Sequence, residues 1–287
     1  MAGSEQLRYP KFTEYIEEHM NQERVPDSFG HIECGEACVD IRLRGGFVTD
    51  FSLLNGKILY APGDSDLLEP KLRASHPMVP AGPSEGIGDQ HGPFRWTDYH
   101  VIYSTDSEMA LQTARPDLGL GSARFYKVGE DSLTIEHRLL NSEGSPERTG
   151  VGEHFYFQLP GELDGTMLDQ IRVNDKNLEE VVGDKAKQQI LSGQFLIIRN
   201  AFGDGPVRLT LPNHEIELSA ELLLGRNETQ TDTPVDLWVW HLQDSASICF
   251  EPVAGVVVDD NGAIQNQGLT IEPYDLNTFS TRITVKT

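Results

Sequence analysis

The feature that most constrains this fold is a succession of short apolar stretches divided by turn-forming residues. After residue 26 these stretches are rich in β-branched and aromatic residues, and clusters of Gly, Pro, Asn and Asp separate many of them. Such side chains pack well on a pleated surface, so we predict a chain built mainly of strands. The predicted strands are residues 37–43, 47–53, 100–104, 133–140, 153–159, 195–199, 207–211, 215–223, 237–242, 248–251 and 277–285.

One helix is predicted ahead of the strands. Residues 10–24 carry apolar side chains at near-helical spacing, namely Phe12, Tyr15, Ile16 and Met20. We expect residues 1–28 to form a helical extension on the outside of a single domain that spans residues 1–287, a common length for one all-β domain.

The chain is strongly acidic, with 23 Lys and Arg against 45 Asp and Glu and a formal net charge of −22. A surface of this sign repels phosphate backbones and anionic lipid, so neither a nucleic acid nor a membrane is an expected partner. The amino terminus lacks an apolar core of signal-peptide length, and no stretch approaches a membrane span. A cytoplasmic location is therefore expected.

An ionisable imidazole stands inside an aromatic strand segment at residues 151–160 (Val-Gly-Glu-His-Phe-Tyr-Phe-Gln-Leu-Pro). Residues two apart on a strand share a face, so His154 is predicted to point the same way as Tyr156 and Gln158. That face would be polar and could form the floor of a groove. The alternative is a hydrogen-bonded histidine with a purely structural role in a sheet wall.

A second chemical segment covers residues 73–80 and 88–96, where many prolines and glycines disfavour regular structure. A loop of this length in a compact domain is usually functional or disordered, and its apolar anchors favour function. The segment holds five side chains of interest, namely Arg73, His76, His91, Arg95 and Trp96.

A third segment places Glu251 at the end of the apolar stretch 248–250, directly before Pro252. A carboxylate at the end of a buried strand is desolvated, which raises its pKa toward the range useful for a base near neutral pH. The alternative is a strand-end glutamate that turns into solvent.

The three segments together resemble the signature segments of the aldose 1-epimerase (galactose mutarotase-like) superfamily. They are residues 90–96 (Gln-His-Gly-Pro-Phe-Arg-Trp), 154–159 (His-Phe-Tyr-Phe-Gln-Leu) and 249–252 (Cys-Phe-Glu-Pro), in the family's order. Residues 44–59 are also similar to the family's early hairpin. The resemblance covers roughly residues 30–285.

This resemblance implies an all-β fold, a large antiparallel β-sandwich of the galactose mutarotase-like kind with a sugar groove on one concave face. It implies an epimerase that interconverts the α and β anomers of a hexose, with Glu251 as general base and His154 as general acid. No cofactor or metal is implied, because no electrons move. The candidate substrate-binding residues are His91, Arg73, Arg95, Trp96 and Tyr156.

The substrate and two residue assignments stay open. Some members of the superfamily act on hexose 6-phosphates, and Arg73, Arg95 and Lys71 could cluster around such a phosphate. The family's sugar-binding aspartate could be Asp204 or Asp236, and the sequence favours neither. The oligomeric state is equally open.

Two other functional classes compete with the epimerase. One is a non-catalytic carbohydrate-binding or regulatory protein on the same fold, in which Trp96, Tyr156 and Trp240 would stack on sugar faces. The other is a metal-dependent isomerase of the cupin kind, with His76, His91 and His154 as ligands. The cupin reading lacks the expected His-x-His pair on one strand.

The remaining candidate ligands do not form a metal motif. An odd number of cysteines does not suit a disulfide framework, so Cys34, Cys38 and Cys249 are expected to be reduced. Cys249 is expected to be a small core residue. Residues 259–264 are acidic but lack the spacing of a calcium loop, which favours a solvated turn.

Overall fold

A computed structural model describes residues 28–53, 56–61, 74–79, 81, 91–115, 119–243, 245–258 and 264–286. The predicted helix at residues 10–24 lies outside these residues. The amino-terminal and first central strands are β1 (Phe29–Cys34), β2 (Ala37–Arg42), β3 (Phe47–Leu53), β4 (Gly56–Leu59), β5 (His76–Met78), β6 (His100–Ser104), β7 (Glu108–Arg115), β8 (Leu120–Gly129), β9 (Ser132–Asn141), β10 (Glu147–Thr149), β11 (Val151–Gln158) and β12 (Arg172–Val173). The remaining strands are β13 (Lys176–Asn177), β14 (Leu196–Ile198), β15 (Val207–Thr210), β16 (Glu215–Leu224), β17 (Thr229–Gln230), β18 (Val235–Trp240), β19 (Ser247–Ala254), β20 (Val256–Val258), β21 (Ile264–Gln267), β22 (Leu269–Ile271) and β23 (Leu276–Lys286).

Helices are short in the described part of the chain. They are α1 (Gly165–Leu168), α2 (Leu178–Val182), α3 (Ala186–Leu191) and a 3-10 turn at Pro93–Trp96. Within these residues, no helix is both long and apolar enough to cross a lipid bilayer.

Two large antiparallel sheets pack face to face. One has the order β1-β2-β3-β4-β11-β19-β18-β14, with β5 added to β11, and we refer to it as the first sheet. The second sheet has the order β13-β12-β15-β16-β23-β9-β8-β7-β6, with β17 added to β16. Apolar side chains from both sheets, such as Phe155 and Phe250 from the first and Ile135 and Ile283 from the second, form one continuous core. The expected antiparallel β-sandwich is confirmed.

Alternation along the strands separates this core from the opposite face of the first sheet. Phe155 and Phe157 of β11 point into the core, because successive side chains on a strand alternate between its faces. His154 and Tyr156 therefore lie on the other face of the sheet. The same alternation on β19 places Glu251 on that face, since Phe250 packs in the core.

All eleven predicted strand segments overlap observed strands, and two predictions about local structure were wrong. The strand carrying Glu251 does not end at Pro252 but continues to Ala254, with every residue from Ser247 buried. The loop segment also contains regular structure, because His76–Met78 pairs as β5 with β11. Pairing with β11 holds this segment as a strand, although its local proline content disfavours one.

Candidate functional site

His154 and Glu251 are cross-strand neighbours at the centre of the first sheet. The pairs Gly152–Val253 and Phe155–Phe250 between β11 and β19 bracket these two positions, so the antiparallel register sets them opposite each other. His154 Nε2 and Glu251 Oε1 lie 3.1 Å apart. Two segments almost one hundred residues apart in the chain therefore contribute one hydrogen-bonding pair.

Pro252 lies inside a central strand, where proline is uncommon because it has no N–H for the ladder. It stands directly after Glu251 and faces the backbone of Glu153 by the same register. On its other side, Glu153 pairs with Pro77 of β5. Proline thus interrupts the hydrogen-bond ladder on both sides of Glu153, the residue before His154.

Burial dominates the electrostatics of the pair. The side chains of His154 and Glu251 are only 3% and 5% exposed. Desolvation raises the pKa of Glu251 from 4.5 to about 8. Desolvation, reinforced by the positive charge of Arg95, holds the pKa of His154 well below its ordinary value. The pair therefore retains one proton at neutral pH without carrying a net charge.

A second histidine, His76, stacks beside the pair. Its Cα is paired with His154, and the two rings stack with centroids 4.8 Å apart. Its Nδ1 lies 2.7 Å from the carbonyl of Ala74 and donates to it, so Nε2 carries the lone pair. In the described part of the chain this buried Nε2 has no hydrogen-bond partner. The sequence pointed to His76 only as a metal ligand, since the short strand β5 was not foreseen.

His91 reaches the same cluster from the 3-10 turn. Its ring centroid lies 5.2 Å from that of His154, in an edge-on arrangement. The backbone of His91 has φ 68 and that of Gly92 has φ 77, so two consecutive residues are left-handed. Such a conformation costs a non-glycine residue about 1 kcal/mol, which the surrounding structure must offset. Burial lowers the pKa of His91 to about 3, so its ring is neutral.

Arg95 and Trp96 follow on the same turn. Arg95 is buried, and its guanidinium lies 5.0 Å from the ring centroid of Trp96. Its charge acts on all three histidine rings of the cluster, since it contributes to the lowered pKa values of His76, His91 and His154. Trp96 itself is half-buried against a small cluster next to this turn.

A glycine turn between β2 and β3 allows this segment to approach closely. Gly45 has φ +80, and a Cβ placed on it would lie 2.3 Å from the carbonyl oxygen of Arg95. The Gly45 N–H donates to the carbonyl of Thr97 at 2.8 Å. The early Gly-Gly pair of the sequence thus supports the turn that carries Arg95.

Aromatic side chains surround the imidazole of His154. The ring of Tyr156 stacks on it with centroids 4.4 Å apart, as expected for residues two apart on one strand. The ring of Trp240 lies 6.0 Å away in an edge-on arrangement. Cys249 lies on β19 between β11 and β18, and its Cα pairs with both Tyr156 and Trp240. Its side chain is fully buried.

The two candidate aspartates differ in position. Asp236 lies on β18 and pairs with Val253. It is two residues from Trp238, which pairs with Glu251. Its carboxylate accepts hydrogen bonds from the Arg199 side chain at 3.0 Å and the Asn200 N–H at 2.8 Å. Asp204 lies in an exposed turn. Asp236 is the aspartate that shares the sheet of the candidate site.

The residues that could hold a metal differ from those expected. The described residues include one group whose ligand atoms all lie within 4.8 Å of one another, formed by His154, Cys249 and Glu251. His76 and His91 contact His154 through their rings but do not belong to this group. Cys249 is buried in a small core cluster with Tyr156 and Leu242, as expected, and this cluster lies beside the acid–base pair. None of the three cysteines forms a disulfide.

Several candidates lie outside the described residues. They are Arg73, Lys71 and the acidic turn at 259–263.

Sequence comparison identifies no relative: no family model matches the chain, and no curated protein matches it. Solved structures do match. A galactose mutarotase-like protein from Lactobacillus casei aligns over 90% of this chain and 100% of its own, with a TM-score of 0.69 and 17% identity. A galactose mutarotase related enzyme from Lactobacillus acidophilus aligns over 91% of this chain and 98% of its own, with a TM-score of 0.68 and 15% identity.

A third similar structure comes from an animal, C. elegans. A GalM/aldose epimerase homologue from C. elegans aligns over 90% of this chain and 98% of its own, with a TM-score of 0.62 and 12% identity. Likeness at such identities establishes the fold. The chain therefore has the galactose mutarotase-like β-sandwich fold.

Proposed function

We propose that this protein is an aldose 1-epimerase, a mutarotase that interconverts the α and β anomers of a hexose or hexose phosphate. The observation that carries the proposal is the buried contact of 3.1 Å between His154 Nε2 and Glu251 Oε1. An acid and a base this close can address two oxygen atoms bonded to the same carbon, which is the geometry of a sugar's anomeric centre.

The proposed reaction moves one proton in and one proton out. Glu251 removes the proton from the C1 hydroxyl while protonated His154 delivers a proton to the ring oxygen, and the bond between C1 and O5 breaks to give an aldehyde. Rotation about the C1–C2 bond then presents the other face of the aldehyde. The same two side chains run the steps in reverse, and the ring closes as the other anomer.

The environment of the pair supports this shuttle. Turnover converts a carboxylate facing an imidazolium into a carboxylic acid facing a neutral imidazole, and both forms hold one proton and no net charge. A site without water favours such a net-neutral pair over separated charges. The raised pKa of Glu251, about 8, and the lowered pKa of His154 place the shared proton on Glu251 in the resting pair, and transfer of this proton to His154 forms the carboxylate and imidazolium that the reaction uses.

Further residues are proposed to bind the sugar. The buried nitrogens His91 Nδ1 and His76 Nε2 have no hydrogen-bond partner within the described residues, and sugar hydroxyls could supply one. Tyr156 offers an aromatic face next to the reacting centre. Arg95 and Trp96 are proposed to act from the neighbouring turn, and Arg73 from the segment before β5.

A mutarotation assay tests the proposal. Freshly dissolved α-glucose, α-galactose and α-glucose 6-phosphate are mixed with the full chain, and the approach of optical rotation to equilibrium is followed. We expect acceleration with at least one of these sugars. Glu251→Gln and His154→Ala should each lower kcat by roughly 10²- to 10⁴-fold, the range for loss of a general acid or base. Binding of the sugar to Glu251→Gln should persist.

A matched pair elsewhere in the chain provides the control. His31 and Asp40 also form a histidine–carboxylate pair, with Nδ1 and Oδ1 2.7 Å apart, but their side chains are about half exposed. His31→Ala and Asp40→Asn should leave the mutarotation rate unchanged. Wild-type rates in Glu251→Gln would refute the assignment of the base, and sugar binding without acceleration would favour the non-catalytic carbohydrate-binding class.

A further inference from the structure

Cys249 is a chemically capable side chain that the proton shuttle does not use. It lies two residues before Glu251 on β19, so both side chains share the outer face of the first sheet. A ring nitrogen of His154, the Cys249 sulfur and a carboxylate oxygen of Glu251 all lie within 4.8 Å of one another. All three residues are buried.

The combination of one thiol, one imidazole and one carboxylate is a metal-binding set. Three protein ligands with an open fourth position are characteristic of accessible zinc sites, and thiolate selects Zn²⁺ or Cd²⁺ over Mg²⁺ and Ca²⁺. Tetrahedral zinc needs its ligand atoms somewhat closer than 4.8 Å, which small side-chain rotations can achieve.

A second observation concerns His154 itself. Its Nδ1 is buried without a hydrogen-bond partner in the part of the chain described by the structure. A buried ring nitrogen left unpaired is costly, and ligation of a cation is one way to satisfy it.

We propose that His154, Cys249 and Glu251 form a binding site for a thiophilic divalent cation, with Zn²⁺ as the natural ligand, and that occupancy by the cation blocks the acid–base pair. The binding site stands on the geometry alone, whereas the inhibition rests on the proposed epimerase function. The bound cation would take the imidazole lone pair and the carboxylate, so neither could exchange a proton with the sugar.

The proton balance gives this site a distinct signature. Cation binding requires the thiolate of Cys249, the carboxylate of Glu251 and the neutral imidazole of His154. The cation therefore competes with protons for these ligand atoms, and binding should tighten as the pH rises.

Spectroscopic titration tests the binding site directly. The full chain is prepared with Cys34→Ser and Cys38→Ser so that Cys249 is its sole thiol, and Cd²⁺ or Co²⁺ is added while thiolate-to-metal charge-transfer absorption is recorded. We expect a band that saturates at one cation per chain. Cys249→Ala in the same background should abolish the band, and the affinity of the parent for the cation should rise with pH.

Enzyme assays test the inhibitory role. Micromolar Zn²⁺ should slow mutarotation, a chelator should restore it, and saturating sugar should weaken the inhibition. In chelator, Cys249→Ala should retain wild-type mutarotation, which also shows that the variant folds. Its inhibition constant for Zn²⁺ should rise by at least roughly 10- to 100-fold, because losing a ligand costs more than losing a group that only hydrogen-bonds to a ligand.

The outcomes separate this inference from the epimerase proposal. A charge-transfer band in Cys249→Ala, or no band in the parent background at millimolar cation, would overturn the metal site. Unchanged Zn²⁺ inhibition in Cys249→Ala would overturn the inhibitory role. If no sugar is turned over, the absorption titration still decides whether the cation binds, so a failure of the proposed function is not mistaken for a failure of the site.

Discussion

At the scale of single residues, burial decides in which direction the pKa of a histidine shifts when the histidine contacts a carboxylate. The exposed His31 gains a raised pKa from its hydrogen bond to Asp40. His154 has a similar carboxylate contact, yet desolvation lowers its pKa and raises that of Glu251. Solvent stabilises the charged forms of both side chains at the surface, whereas the interior disfavours charge on either side chain.

The pH dependence of mutarotation follows from this proton count. We expect kcat to fall above pH 8, because the Glu251–His154 pair then loses its single proton and neutral His154 is too weak an acid for the ring oxygen. The acidic limb should lie well below pH 6.5, where the pair gains a second proton. Stopped-flow polarimetry between pH 4 and 10 measures both limbs.

The control for this profile uses the same variants as the rate assay. Asp40→Asn should leave both limbs in place, since the exposed His31 pair is not part of the site. A profile that rises steadily through pH 8 to 10 would contradict a pair that works with one proton.

At the scale of elements, an ion pair inside the sandwich anchors the strand that carries His154. Glu153 points into the core, where its two oxygens accept hydrogen bonds from Arg124 of β8 at 2.5 and 3.0 Å. Arg124 also donates to the Tyr126 hydroxyl, which donates to the carbonyl of Gly46. The network thus joins the second sheet to both β11 and the glycine turn beneath Arg95.

Breaking this buried pair should be far more harmful than breaking an exposed one. Glu153→Gln leaves the charge of Arg124 buried without a counter-ion, so we expect a loss of about 3–5 kcal/mol in the free energy of unfolding. The control is Glu108→Gln, which breaks the Lys127–Glu108 pair on the adjoining strands β7 and β8. That pair is largely exposed, and its loss should cost less than about 1 kcal/mol. Urea unfolding compares the two, and equal losses would contradict the role of burial.

The glycine turn between β2 and β3 allows a second test at this scale. Gly45→Ala combines a left-handed backbone with a clash against the Arg95 carbonyl. Gly56→Ala is the control, since its φ is +134 and nothing lies within 4 Å of the added Cβ. We expect both variants to lose about 1 kcal/mol or more from backbone strain.

Displacement of the turn that carries Arg95 should be specific to Gly45→Ala. The expected result is a raised KM for sugar in that variant, measured by mutarotation, with an unchanged KM in Gly56→Ala. An unchanged KM in both would show that the close approach does not position the turn.

At the scale of the whole molecule, buried histidines make the fold sensitive to acid. Burial lowers the pKa values of five histidines in the described chain, namely the fully buried His76, His91, His137 and His154 and the half-buried His214. Each binds a proton more readily after unfolding, so stability is lost as the pH falls below 6.5. Glu251 acts in the opposite sense, because its raised pKa favours the folded state less as the pH rises from 4.5 to about 8.

Maximum stability is therefore expected near neutral pH, with a steep loss on the acidic side. Each of the four fully buried histidines contributes up to about 1.4 kcal/mol per pH unit once the pH is well below 6.5. Urea unfolding between pH 5 and 8 measures this slope. His137→Asn removes a buried histidine of the second sheet and should reduce the slope. His31→Ala should steepen it slightly, because the raised pKa of His31 opposes the loss. A stability independent of pH over this interval would contradict the assignment of neutral buried rings.

The sequence predicted strands best where local preference and long-range pairing agree. The segment at 47–53 matches β3 residue for residue, since its branched and aromatic side chains favour a pleated surface. Strands β7 and β8 were missed, because Glu, Gln, Ala and Gly in them are weak strand formers. Pairing with neighbours along eight and ten residues holds these strands in place.

The sequence alone determined that the chain forms strands, that His154 and Tyr156 share a face, and that a carboxylate follows a buried apolar run. These properties depend on side-chain type and the two-residue repeat of a strand. Only the tertiary structure decided that His154 lies opposite Glu251, that His76 stacks beside them and that Cys249 joins the group. Those contacts depend on register between strands distant in the chain, which the cooperative packing of both sheets selects and no local pattern records.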